Sequence, residues 1–124
     1  MAGGIVRHEV SEGLAASGLV EAGDFVYLTF CVGNVGQGVE AQVHGALDEL
    51  ERRLALVGLD LRHVVSVDAL FRDIWDIPVM EQAFRERFRE AYPARKSVQT
   101  EFAHVGGDEG LQFQLDAVAY RGGP

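Results

Sequence analysis

Arg95 stands in the segment Tyr92-Pro93-Ala94-Arg95-Lys96-Ser97-Val98, between a well-patterned amphipathic helix and a strand. Proline lacks a backbone N–H and disfavours helical dihedrals in the residue before it, so it closes the helix and fixes the boundary. A guanidinium held at such a boundary can grip a carboxylate through two parallel N–H···O bonds. The plainer reading is a surface arginine at the start of a strand. Further along, Ser97, Gln99 and Glu101 alternate with Val98, Thr100 and Phe102, and Gln112, Gln114 and Asp116 alternate with Leu111, Phe113, Leu115 and Ala117. Read as a hairpin, the two stretches present an apolar face to the helices. The other face becomes a polar wall of Arg95, Ser97, Gln99, Glu101, Gln112, Gln114 and Asp116. Such a wall is either a solvated sheet face, as antiparallel sheets often have, or the lining of a pocket or subunit interface.

Other residues with chemistry in them point less far. Glu40, His44 and Asp48 share one helical face at four-residue steps, but no His-Glu-x-x-His pattern accompanies them, so no metal site is expected. Cys31 lies in an apolar strand, where a cysteine usually packs as a small hydrophobe. The loop Gly33-Asn34-Val35-Gly36-Gln37-Gly38 precedes a helix without matching a phosphate-binding pattern, so its glycines read as turn residues. Glu101 and His104 near Arg95 read as an acid and a base or as a solvated hairpin end. Trp75 reads as a cleft rim or as packing.

The elements that must position these groups follow from periodicity. Ile5 to Val10 reads as a short strand, Ser11 to Ser17 as a loop and Glu21 to Asp24 as a turn. Phe25 to Val32 is β-branched and aromatic, which suggests a strand covered on both faces. Val39, Val43, Ala46, Leu47, Leu50, Leu54 and Val57 recur at three- and four-residue steps and define a long helix capped by Gly58. His63 to Phe71 alternates as a strand. Pro78 suits a first helical turn, and Met80, Ala83, Phe84, Phe88 and Ala91 form the inner stripe of a second helix. Lys96 to Phe102 and Leu111 to Tyr120 read as the last strands, joined through a loop at Gly106 to Gly110. The order β-β-β-α-β-α-β-β is that of an α+β domain with two helices on one face of a sheet.

The chain has 124 residues, which suits one domain spanning residues 1–124. Nineteen acids against eleven lysines and arginines give a net charge of −8. That balance argues against a nucleic-acid partner and an anionic membrane surface, since both need a basic face. A single cysteine allows no intrachain disulfide. With no apolar signal core and no run near the ~20 residues of a membrane span, the expected location is the cytoplasm.

The whole layout resembles the RidA/YjgF family of reactive intermediate deaminases. The residues that carry the resemblance are Val20-Glu21-Ala22-Gly23-Asp24-Phe25-Val26-Tyr27, Gly58-Leu59-Asp60 after the long helix, and Val64-Val65-Ser66-Val67. Phe84 and Phe88 in the second helix, Pro93-Ala94-Arg95, and Leu115-Asp116-Ala117-Val118-Ala119 complete it. The resemblance implies a chorismate-mutase-like fold with a six-stranded mixed sheet. It also implies a homotrimer with clefts between subunits, and hydrolysis of a small imine or enamine acid to a 2-oxo acid and ammonia without cofactor or metal. Arg95 matches the carboxylate-binding arginine of the family. Gln114 falls where the family has a water-positioning glutamate, and Glu101 or Asp116 is expected to supply the missing acid. The other expected substrate contacts are Ser17, Thr29, Phe30, Cys31, Glu81, Phe84 and Ser97. The chain departs from the main-branch pattern at several of them. No tyrosine stands in Ala15-Ala16-Ser17-Gly18, Thr29-Phe30-Cys31 replaces Ser-Gly-Gln, Glu81 replaces an asparagine, and Ser97 replaces a cysteine. Phe30 in place of glycine should make the cleft smaller or more apolar.

Two functions follow, a RidA-like hydrolase or a non-catalytic trimer that binds a small carboxylate to regulate or protect a partner. A third, a purely structural module, would be favoured by Arg95 tied to Glu81 or Glu101 with no cavity beside it.

Overall fold

In the computed structural model, residues 4–102 and 110–122 are described. They form strands β1 (Ile5–Ser11), β2 (Ala16–Ala22) and β3 (Phe25–Cys31), helix α1 (Val39–Leu56), strand β4 (Val64–Phe71), helix α2 (Ile77–Phe88), and strands β5 (Ala94–Gln99) and β6 (Phe113–Tyr120). The stretch between β1 and β2 is shorter than the expected loop, a tight turn closed by the Ala15 N–H on the Glu12 carbonyl. Short 3₁₀ turns at Leu61–His63 and Ile74–Asp76 lead into β4 and α2. Each is capped at its N-terminus by an aspartate, Asp60 or Asp73, whose carboxylate accepts a backbone N–H.

The periodic stripes of both helices meet one face of the sheet. Val43, Ala46, Leu47, Leu50 and Leu54 of α1 join Met80, Ala83, Phe84 and Phe88 of α2 in one core. From the sheet come Leu19, Val26, Leu28, Val67, Ala69, Phe71, Phe113 and Leu115. Helix α2 begins with Pro78 in its first turn and stops at Phe88, where Arg89 and Glu90 turn left-handed at φ 51° and 74°. Ala91, expected in the inner stripe, therefore lies past the helix end and is exposed. Strand β3 is covered on one face only, with Val26 and Leu28 inside and Phe25 and Tyr27 out, the two latter 41% and 48% exposed.

The sheet order is β1-β2-β3-β6-β4-β5. Among the described strands only β4 and β5 run parallel, with α2 as the crossover that a parallel pair needs. The last two strands thus do not form the expected hairpin. β6 inserts antiparallel between β3 and β4, and β5 is the sheet edge on the far side of β4. The loop expected at Gly106 to Gly110 lies outside the described residues except for Gly110.

This topology also divides the expected polar wall. In the β4–β5 register, Arg95, Ser97 and Gln99 stand beside Val67, Ala69 and Phe71, which are buried against the helices. Gln99 confirms the side by accepting the Ile74 N–H at 2.9 Å. On β6 the helix side is taken by Phe113, Leu115, Ala117 and Ala119, so Gln114 and Asp116 occupy the open face, beside Leu70 and Asp68. The alternation drawn through Thr100 and Phe102 misplaced β5 because the strand ends at Gln99, before either residue.

One close approach sets how α1 sits against the loop that follows β3. A Cβ on Gly33 would lie 2.7 Å from the Gly45 backbone, and a Cβ on Gly45 would lie 2.7 Å from the Gly33 carbonyl carbon and 2.9 Å from the Asn34 amide nitrogen. Both glycines face backbone that has no room to give. Gly45→Ala should destabilise the fold by about 1–3 kcal/mol in urea unfolding. Gly13→Ala, whose Cβ meets nothing within 4 Å, should stay within about 0.5 kcal/mol of the parent.

Candidate functional site

The polar groups on the open face are organised by a bulge in β3. Leu28 pairs with Ala117 and Cys31 with Leu115, so Thr29 and Phe30 both oppose Asp116. Phe30 takes a left-handed φ of 56°, uncommon for a side chain of its size. Asp116 fixes the bulge from one side. Its Oδ1 accepts the Phe30 N–H, the Thr29 hydroxyl and the Gln114 amide, each at 2.9 Å.

Arg53 fixes it from the other side. This side chain of α1 points into the fold, with 9% of the residue exposed. Its Nη1 donates to the carbonyls of Thr29 at 2.6 Å and Gly18 at 3.2 Å, and its Nη2 donates to that of Phe30 at 3.2 Å. Its Nε donates to Glu49 at 2.7 Å, so the charge is paired within the helix. Glu49 also receives Arg52. Hydrogen bonds from Arg52 first and Arg53 next hold the Glu49 carboxyl down at about 2. Sequence reading missed Arg53, although the signal was present. Ala46, Leu50, Arg53 and Val57 follow helical spacing, which places a charge on the apolar stripe.

Beside the bulge lies a cavity of about 350 Å³ that contains Thr29, Phe30, Gln114 and Glu101. Gln114 gives its amide hydrogen to Asp116, and among the described residues no donor is recorded on its carbonyl oxygen, which is an acceptor. Glu101 is exposed on the cavity's rim. These are the acceptor and the carboxylate that water activation requires. Asp116 is committed to three donors and acts as a brace. A neighbouring cavity of about 340 Å³ shares Thr29 and adds Ser17 and the other side of Asp116. The start of β6 is held by Gln42, a fully buried side chain whose amide spans the Gly110 carbonyl and the Gln112 N–H. Sequence analysis did not single it out.

Arg95 lies elsewhere, on the helix side of the edge strand. It borders a cavity of about 310 Å³ with Glu81, Phe84, Arg85, Tyr92 and Pro93. Its Nη2 donates to Glu81 at 3.1 Å, and its Nη1 approaches the Met80 sulfur at 3.9 Å. The internal pair is therefore present, and so is a cavity beside it. Both partners are about a third exposed, and such pairs contribute little net energy and exchange readily. Ser97 has a buried hydroxyl without a hydrogen-bond partner among the described residues.

Cys31 lies in the core, fully buried. Burial pushes its thiol up to about 12, so it offers neither contact nor nucleophile. Trp75 is 86% exposed, so among the described residues it is surface rather than core. Arg87 of α2 reaches the His44–Asp48 end of the Glu40–His44–Asp48 row. It donates to His44 at 3.1 Å, to Asp48 at 2.7 Å and to Glu51 at 2.8 Å. Among the described residues no group of three or more His, Cys, Asp and Glu side chains is arranged to hold a metal. His104 lies outside the described residues. No helix among them is long and apolar enough to cross a membrane.

Comparison with known proteins gives a consistent result. The family model described as endoribonuclease L-PSP matches residues 14–120. Human 2-iminobutanoate/2-iminopropanoate deaminase is 27% identical over 88 residues, 71% of this chain and 61% of the human protein. Protein DfrA of Myxococcus xanthus is 31% identical over 81 residues, 65% of this chain and 59% of its own length. The chain thus matches about three fifths of the length of these curated relatives. Among solved structures, a hypothetical protein of Streptococcus pyogenes M1 GAS, described as a member of the highly conserved yjgF family, superposes with a TM-score of 0.88. It is 65% identical, over 94% of this chain and 95% of that one. A YjgF family member from Neisseria meningitidis has the same fold at 21% identity and a TM-score of 0.85, over the whole of both chains.

Two expectations follow from the bulge. Arg53→Met leaves Glu49 without one partner and removes the guanidinium from three carbonyls, and should cost about 3 kcal/mol or more in urea unfolding. The depressed Glu49 pKa adds stability that is complete above its ordinary value of 4.5 and is lost as pH falls toward about 2. Unfolding midpoints between those limits should fall less steeply for Glu49→Gln than for the parent.

Proposed function

The chain belongs to the endoribonuclease L-PSP family, the RidA/YjgF family, and on that premise we propose that it hydrolyses a small imine or enamine carboxylic acid in a cleft between two subunits of a homotrimer. The observation that carries the proposal is the division of the site. Gln114, Glu101 and Thr29 share a cavity on the open face, whereas Arg95 borders a separate cavity on the helix side of the edge strand. A second copy laid against the open face can bring its Arg95 edge to the first copy's Gln114. Tyr27 and Val65, 48% and 45% exposed, are apolar surface for that contact.

In this arrangement Arg95 holds the substrate carboxylate and so orients the imine carbon toward the bulge. The Gln114 carbonyl oxygen accepts a hydrogen bond from the attacking water. The water oxygen bonds to the imine carbon as one of its protons passes to Glu101, and the imine π pair moves to nitrogen, which takes that proton from Glu101 to give a carbinolamine. The carbinol O–H then gives its proton to Glu101, which passes it to the nitrogen as the C–N bond breaks. The O–H pair becomes the second bond of the 2-oxo group, and ammonia leaves. Atoms balance with water as the only co-reactant, and the step calls on no cofactor. The family model's description names an endoribonuclease. A net charge of −8 gives a phosphate backbone poor electrostatic footing, so the small-acid reading is preferred.

A second reading, a carboxylate-binding trimer without catalysis, is favoured by one observation. The family's water-positioning carboxylate is here an amide already committed to Asp116.

The deciding assay is ammonia release from freshly generated 2-iminopropanoate. The parent should accelerate it, and Arg95→Ala and Glu101→Gln should each lose about 100-fold. Mixing the two variants after dissociation and reassembly should recover part of the activity, because some clefts then combine an intact Arg95 with an intact Glu101. Absence of acceleration by the parent overturns the hydrolase reading in favour of the binding one, and absence of recovery on mixing overturns the shared cleft.

A further inference from the structure

We infer that the ligand of this site carries a bulky apolar side chain, of leucine or phenylalanine size, and that Phe30 is the residue that selects it. The inference rests on the proposed small-acid site and adds the identity of the group that fills its open-face half.

The cavity beside the bulge has walls of Leu14, Ala16, Phe30, Leu70, Phe102 and Leu111. Phe102 and Leu111 are buried, at 8% and 2% exposed, so they form its floor. The polar groups are Gln114, Glu101, Thr29 and Thr100. Among the described lining residues none is cationic, and Glu101 repels a second anion. The carboxylate of the ligand therefore belongs at Arg95, and its uncharged end belongs here.

Size gives the next step. On one chain, before the second copy covers it, the open cavity of about 350 Å³ is wider than a methyl group needs. A branched or aromatic side chain displaces water from apolar walls, which is the favourable exchange.

Phe30 itself supplies the third argument. Its left-handed backbone is strained for any residue with a large side chain, and glycine would sit there without that cost. Asp116 on its N–H and Arg53 on its carbonyl over-determine the conformation, so the ring is held on the cavity wall. Strain retained under such constraint marks a position whose side chain is used.

The test compares ammonia release from imines generated in situ by an amino-acid oxidase acting on leucine, phenylalanine and alanine. The parent trimer should prefer the leucine- or phenylalanine-derived imine by about 10- to 100-fold in kcat/KM. Phe30→Gly relieves the backbone strain and so should fold, and it should lower that ratio several-fold while still acting on the alanine-derived imine. Equal rates, or a preference for the alanine-derived imine, overturn the inference while leaving the hydrolase reading intact. Acceleration of none of the three overturns the hydrolase reading. Calorimetric binding of 4-methyl-2-oxopentanoate and pyruvate then decides the inference. At least about tenfold tighter binding of the former sustains it, and equal binding or none of either overturns it.

Discussion

The buried guanidinium of Arg53 is the interaction on which the open face depends. An arginine pointing inward from a helix stripe needs acceptors, and here they are Glu49 on the same helix and three carbonyls of β2 and β3. Two of those carbonyls belong to the bulge. A bulge interrupts the ladder and leaves backbone groups that the neighbouring strand does not satisfy. Arg53 takes up the carbonyls, Asp116 takes up the Phe30 N–H, and the irregular backbone becomes better fixed than an ordinary strand. Gly18 is part of the same fit, since a Cβ there would come within 3.0 Å of the Arg53 guanidinium. Removing one charge of such a set costs more than the net worth of the pair, because the other groups stay buried without partners.

The second constraint is the sheet order. With β6 between β3 and β4, the groups around the bulge sit mid-sheet on the open face, while the parallel β5 carries Arg95 on the helix side of the far edge. The two halves of the candidate chemistry are therefore separated by the sheet itself within one chain. In the proposed cleft they are joined across a subunit boundary, which gives each half an independent structural support. Arg95 is placed by the left-handed turn at Arg89 and Glu90 that ends α2, ahead of the proline expected to end it, and by Glu81, and Gln114 by Asp116 and the anchored start of β6.

Local patterns in the sequence carry much of this. Helical spacing picked out five buried positions of α1 and four of α2, and proline at the helix start and glycine at the helix end marked the boundaries. Pro93-Ala94-Arg95 marked the family and the carboxylate-binding candidate. Strand adjacency was not legible, because alternation within a strand says which residues share a face but not which strand lies beside it. Reading β5 and β6 as a hairpin followed from their order in the chain, whereas the fold spends that connection on crossing β4. Cys31 was placed at the site by resemblance, and the bulge turns it into the core. Arg53 went unnoticed because a charge in a helix reads by default as solvent-facing. Its position three residues after Leu50 and four before Val57 contradicted that default.

The departures from the family pattern are coupled. Phe30 where the family has glycine adds backbone strain and apolar surface at one point, and a left-handed residue with a large ring persists only if both its amide and its carbonyl are held. Asp116 holds the amide and binds the Gln114 side chain with the same oxygen. A glutamate at position 114 would set a second carboxylate against Asp116, with Asp68 already opposite on β4. An amide avoids that repulsion and donates a hydrogen bond in its place. The loss of the glutamate and the gain of the phenylalanine thus answer one local requirement, a braced bulge on an acidic strand pair. In the proposed reaction the carboxylate for water chemistry is Glu101, which lines the cavity and is exposed, so that a solvated acid does not load the bulge with further charge.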